Sequence, residues 1–178
     1  MPTRSDAIWG GSIRLPISVQ ADRFRSGETS CMSDDKHLQF VDTNVLIYAH
    51  DLSAGEKHRR AQELMRHLWQ SHEGCLSIQV LQEFYVNVTQ KVARPLPRDT
   101  ASQIIADLSA WQVHVPHVND VLDAIRLQGR YGISFWDAMI VASAIRLGCQ
   151  RIWSEDLNPG QTYDQVTVVN PFPPAPDV

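Results

Sequence analysis

From residue 38 onward, short apolar runs alternate with longer amphipathic segments, the pattern of an α/β domain built on a parallel sheet. Leu38 to Val41, Gly74 to Leu76, Gln112 to Val115, Arg151 to Trp153 and Thr167 to Val169 predict about five short strands. Between them, Ala61, Leu64, Met65 and Leu68 recur at three- and four-residue spacing within His58 to Trp69, and Leu81, Tyr85, Val88 and Val92 form a second helical stripe. Ala101 to Leu108 and Val118 to Leu127 predict two further helices. Phe135 to Leu147 is apolar on nearly every side, which predicts a helix at the centre of the domain. Pro95 and Pro97 break the chain before Thr100, the expected cap of the next helix, and the prolines between Pro171 and Pro176 end the pattern.

Residues 1 to 36 mix Arg, Ser, Gly and Asp with isolated apolar residues and hold no periodicity, so a poorly ordered N-terminal extension is expected there. The domain is expected over residues 37 to 172, with a Pro-rich tail over 173 to 178. Met32, followed by a polar stretch and then the first apolar run, has the look of a natural start; an intact mass from the native host decides this.

With 178 residues, 43% of them apolar and 20% charged, the chain has the composition of a globular domain with a sizeable core. A formal charge of -4 excludes an overall basic field, so any phosphate-binding surface must be local. Cys31, Cys75 and Cys149 are far apart and form no zinc-type cluster, which suits a reducing, cytoplasmic setting. No apolar run is long enough to span a membrane, and no Gly-rich phosphate loop is present. His50, His58, His67, His72, His114 and His117 lack a metal-ligand spacing and are read as surface or packing residues.

Four carboxylates stand out, two at strand ends and two near helix starts. Asp42 follows the first strand, at the edge where open α/β sheets bind ligands, although a helix N-cap Asp is common at such turns. Asp156 follows Arg151 to Trp153 on the same edge. Asp137 stands three residues after Ser134, the spacing of a capping box, yet it enters a buried helix where an ionised carboxylate needs a partner. Glu83 lies off the apolar stripe of its helix, and taken alone it reads as a surface residue. Together the four fall on one rim of one sheet. Like charges about 4 Å apart repel by roughly 4 kcal/mol at an effective dielectric of 20, so such a cluster calls for a counter-charge. Hard oxygen ligands select Mg²⁺ or Mn²⁺.

Phe40-Val41-Asp42-Thr43-Asn44-Val45-Leu46-Ile47 resembles the opening motif of PIN domains, and Gln79-Val80-Leu81-Gln82-Glu83-Phe84 their second acidic motif. Ser134-Phe135-Trp136-Asp137-Ala138 and Trp153-Ser154-Glu155-Asp156-Leu157 are similar to the third and fourth, in order, and the likeness runs from about residue 38 to 172. Length and motif style are most like the VapC-type toxins of toxin–antitoxin pairs. That resemblance implies a PIN-like fold and a Mg²⁺- or Mn²⁺-dependent endoribonuclease, usually a homodimer, restrained by an antitoxin encoded beside it. It carries over Asp42, Glu83, Asp137 and Asp156 as metal ligands and Thr43, Asn44 and Ser154 in supporting roles; Glu155 falls at a variable position. The expected chemistry is in-line attack on RNA by metal-activated water, leaving a 5′-phosphate and a 3′-hydroxyl.

Lys57, Arg59, Arg60, Arg66, Lys91, Arg94 and Arg98 are open to two readings, as contacts to RNA or antitoxin or as solvated surface. Two other functions compete. A non-catalytic PIN-like module that binds RNA or protein uses the same fold, and a haloacid-dehalogenase-like phosphatase also places Asp after its first strand. The latter needs a second Asp two positions on, where this chain has Asn44.

Overall fold

The computed structural model describes residues 37 to 172; the expected extension and tail lie outside the described residues. In chain order the elements are β1 (Gln39–Val41), α1 (Thr43–His50), a 3-10 turn (Leu52–Ala54), α2 (Glu56–Ser71), β2 (Gly74–Ser77), α3 (Ile78–Gln90), α4 (Arg98–Leu108), β3 (Gln112–His114), α5 (Val118–Tyr131), α6 (Phe135–Arg146), β4 (Arg151–Trp153), β5 (Thr162–Tyr163) and β6 (Val166–Val169). The strands form one sheet in the order β3-β2-β1-β4-β6-β5.

All strand pairs are parallel except β5 with β6. The α/β class and mainly parallel sheet agree with the sequence pattern. The antiparallel edge strand β5 was not expected from it. Two residues leave no periodicity to read, and the tight connection to β6 uses Asp164 at φ 51 rather than a glycine. The helix start at Thr100 is also corrected: α4 begins at Arg98 behind Pro97, whose fixed φ of -56 lets it precede a helix, so Thr100 lies inside the first turn.

The core forms where the stripes meet the sheet. Phe40, Val41, Leu76 and Ile152 are fully buried on the strands, and Leu46, Met65, Leu68, Val80, Phe84 and Val88 cover them from α1, α2 and α3. On α6 every residue from Ala138 to Ala144 is buried, and the helix packs on α5, β2, β4 and β6, the central place its all-round apolarity predicts. The α3 stripe is rotated from expectation: Val80, Leu81, Phe84 and Val88 face inward, while Tyr85 is half-buried and Val92 lies beyond the helix end.

One topological feature positions the site. From β1 the chain moves to β2 and β3 on one side, then returns to β4 on the other. Connections therefore diverge at the carboxyl ends of β1 and β4, and such a switch point opens a crevice.

Candidate active site

Asp42 sits at that crevice because β1 ends on it. Its backbone N–H donates to the Trp153 carbonyl at 3.0 Å, stitching the end of β1 to β4, and its Oδ1 accepts the Thr43 N–H at 2.6 Å as the N-cap of α1. The capping role is thus real, and it leaves Oδ2 free for other partners. That oxygen accepts the Ser154 hydroxyl at 2.6 Å and the Asn44 amide at 3.1 Å. Asn44 Nδ2 also donates to Asp156 Oδ2 at 3.0 Å, so one amide bridges the acids that follow β1 and β4.

Glu83 joins from α3. Thr43 donates its hydroxyl to Oε2 at 2.7 Å, and Gln79, one turn earlier on the same helix, donates to Oε1 at 3.0 Å. The same Gln79 nitrogen reaches the Trp136 carbonyl at 3.3 Å and thereby ties α3 to the start of α6. Asp137, the next residue, is the most separate of the four acids. Its Oδ2 accepts the Ser134 hydroxyl at 2.8 Å, and Ser134 Oγ accepts the Asp137 N–H at 3.1 Å. Ser134 is the N-cap of α6, as the spacing predicts.

Asp42, Glu83 and Asp156 are therefore linked through Thr43 and Asn44, while Asp137 connects through the Trp136 backbone. Among the described residues, no three Asp, Glu, His or Cys side chains converge tightly enough to enclose a metal ion. The physical reason at this site is visible: neutral donors stand between the acids. Asp42 is 7% exposed and Ser154 fully buried, whereas Asp156 is exposed. Burial above all, with the charges of Asp156 and Glu83 adding to it, pushes the Asp42 carboxyl up to about 6 against the Ser154 and Thr43 hydrogen bonds.

The donors suit a hard divalent cation in kind. All are oxygens, and two neutral ones at the same place, Asn44 Oδ1 and Gln79 Oε1, are buried without a hydrogen-bond partner.

Two features were not anticipated from sequence. Gln79 is a buried organiser of Glu83, signalled only by its four-residue spacing on one helix. Glu155 turns away from the acids: it accepts Lys57 at 2.6 Å and the Tyr48 hydroxyl at 2.5 Å, with Lys57 4.7 Å above the Tyr48 ring and Phe172 edge-on to that ring. Lys57 is thereby committed to a structural ion pair, and Arg59 and Arg60 pair with Glu56. His114 is a packing residue, bonded to buried Ser143 at 3.0 Å and near Asp120.

The PIN domain family model matches residues 40–164. The chain belongs to the PIN domain family. Among solved structures, this PIN domain is similar to a toxin–antitoxin complex from Klebsiella pneumoniae (TM-score 0.56, 19% identity, 75% of this chain and 98% of that one). It is also similar to DNA-bound VapBC from Salmonella typhimurium (TM-score 0.53, 16% identity, 74% and 96%) and to Mycobacterium tuberculosis VapC20, described as a sarcin-ricin loop cleaving toxin (TM-score 0.50, 20% identity, 64% and 86%). At these identities the likeness is one of fold. No curated protein matches the sequence.

Proposed function

We propose that this PIN domain is a divalent-metal-dependent endoribonuclease and acts as the toxin of a toxin–antitoxin pair in the cytoplasm. The observation that carries the reading is the linked set of Asp42, Asp156 and Glu83 at the β1–β4 crevice, on a fold shared with toxins of that class. Asp42, Glu83 and Asp156 would hold Mg²⁺ or Mn²⁺, with Asp137 completing the set from α6. A bound ion supplies an acidified water and charge neutralisation at the scissile phosphate.

The chain's own residues do the rest. Ser154 and the Thr43 N–H hold the Asp42 carboxylate in one orientation, and Thr43 and Gln79 do the same for Glu83. Such supporting hydrogen bonds fix ligand geometry. The resemblance and the toxin–antitoxin neighbours support an antitoxin partner. A homodimer is supported by α5, where Val118, Val121, Leu122 and Ile125 form an exposed apolar stripe at helical spacing.

The test is cleavage of a broad panel of structured and single-stranded RNAs with Mn²⁺, then with chelator. Metal-dependent products that vanish in chelator support the nuclease; none across the panel would sink it. The second reading, an RNA- or protein-binding module without turnover, is favoured by one observation, the Asn44 amide occupying the space between Asp42 and Asp156.

A further inference from the structure

Nucleobase faces are neutral, so holding them by stacking is indifferent to the negative charge that repels phosphate. A chain of net charge -4, with Lys57, Arg59 and Arg60 already paired to carboxylates, has particular use for such a contact. Trp136 has the properties for it. Of the eight large apolar side chains exposed among the described residues it is the one aromatic, with 64% of its surface accessible. An exposed indole forgoes the burial that a ring of its size usually finds.

Its place is fixed relative to the carboxylates. The Trp136 carbonyl accepts the Gln79 nitrogen that also holds Glu83, and Asp137 is the next residue. Phe135 braces the ring edge-on, with centroids 5.4 Å apart and planes at 68°, which limits its swing. The indole is therefore anchored at the rim of the acidic site by both backbone and neighbouring ring.

We propose that Trp136 is the platform on which a nucleobase of single-stranded RNA stacks beside the carboxylates, making it a substrate-positioning residue. This rests on the nuclease reading for the identity of the substrate, but binding tests it separately from turnover. An aromatic platform accepts every base through its π-face and contributes about 1–3 kcal/mol per base, equivalent to about 5- to 150-fold in affinity.

The experiment measures binding of short labelled single-stranded RNAs to the full chain in the Asp42→Asn background, with a single abasic nucleotide moved along the strand. Trp136→Ala and Trp136→Phe are compared in the same background. The expected result is an affinity loss of about 5- to 150-fold for Trp136→Ala, with Trp136→Phe retaining most of it. One abasic position should reproduce the loss with Trp136 present and add nothing once Ala replaces it. Quenching of indole fluorescence by RNA should fall in Trp136→Phe, which leaves the other four of the five tryptophans in place. Equal affinity of the Ala variant, or abasic losses that simply add to it, would overturn the proposal, as would loss of binding to a protein partner with RNA affinity kept. If the unmutated chain cleaves no RNA yet the abasic coupling is present, the nuclease reading fails and the stacking platform stands. If cleavage occurs and Trp136→Ala leaves KM and kcat unchanged, the nuclease stands and the platform fails.

Discussion

Ser154 donates its hydroxyl to Asp42 Oδ2 at 2.6 Å across the seam between β1 and β4. Both side chains are buried, so the bond is made away from competing water. It also couples the two halves of the crevice, because Ser154 Oγ accepts the N–H groups of Asp156 and Leu157 at 3.1 and 3.3 Å. Ser154→Ala should therefore lower metal affinity by about 10- to 100-fold while leaving the fold intact. Calorimetric titration with Mn²⁺ measures this, and unchanged affinity would remove Ser154 from its supporting role.

Asp42→Asn should abolish RNA cleavage and, in the metal-free state, stabilise the protein. With its pKa raised to about 6 by burial, the native carboxyl binds a proton that the unfolded chain, at 3.8, gives up. Stability then falls as pH rises from about 4 through 6, and the ionised form costs on the order of 3 kcal/mol at neutral pH. Asparagine removes that cost and keeps one side-chain oxygen to accept the Thr43 N–H that caps α1. Denaturant melts at pH 7 in chelator should show the variant as the more stable protein. The reverse order would mean that Asp42 is not destabilised by its surroundings.

Much of this architecture is legible in the sequence because it follows from local pattern. Arg151 to Trp153 is recovered to the residue, and the all-round apolarity of Phe135 to Leu147 places α6 at the centre. Asp42, Asp156 and Asp137 are legible as residues at strand ends and a helix start, and Glu83 as a polar residue off the apolar stripe of its helix. What joins them is not, since Tyr48 and Lys57 meet Glu155 from 107 and 98 residues away, and no local spacing encodes such a contact. The cap role of Asp42 leaves room for its candidate site role: a carboxylate has two oxygens, and one caps α1 while the other faces Ser154 and Asn44.

Glu155→Gln should separate structure from chemistry at the fourth motif. The carboxylate anchors Lys57 and Tyr48, joining α2 and α1 to the loop after β4, and the Lys57 side chain is 43% exposed. Screening limits that ion pair to about 1 kcal/mol. A modest drop in melting temperature with RNA cleavage retained is expected. Loss of Mn²⁺ binding in this variant would instead make Glu155 part of the metal site.

His50 sets the acid limit. Its ring packs edge-on to Phe84 at 5.4 Å, and burial lowers its pKa to about 4, with His58 adding to the effect. The unfolded chain takes up a proton near 6.5 while the native chain resists until about 4, so stability is full above 6.5 and is lost as pH falls through this window. Asp42 acts in the opposite direction over nearly the same range, and the two partly cancel. The Asp42→Asn variant should therefore show a steeper acid loss of stability between about pH 6.5 and 4 than the unmutated chain, and His50→Leu added to it should flatten the profile. Parallel profiles for all three proteins would show that neither group governs the response.

Gly74→Ala tests the sheet beneath the site. The Trp111 ring lies so close over Gly74 that an added methyl group would overlap it, and Trp111 is itself held against Trp69 with ring centroids 6.0 Å apart. Gly74 pairs with Gln39 at the start of β1, so relief by backbone movement would disturb the strand that delivers Asp42. Overpacking of this kind costs about 1–3 kcal/mol. The loss should appear in denaturant melts together with a change in tryptophan fluorescence, since the displaced group is an indole. A variant as stable as the unmutated chain, with unaltered emission, would mean that the Trp69–Trp111 pair yields freely and that glycine is not required at the start of β2.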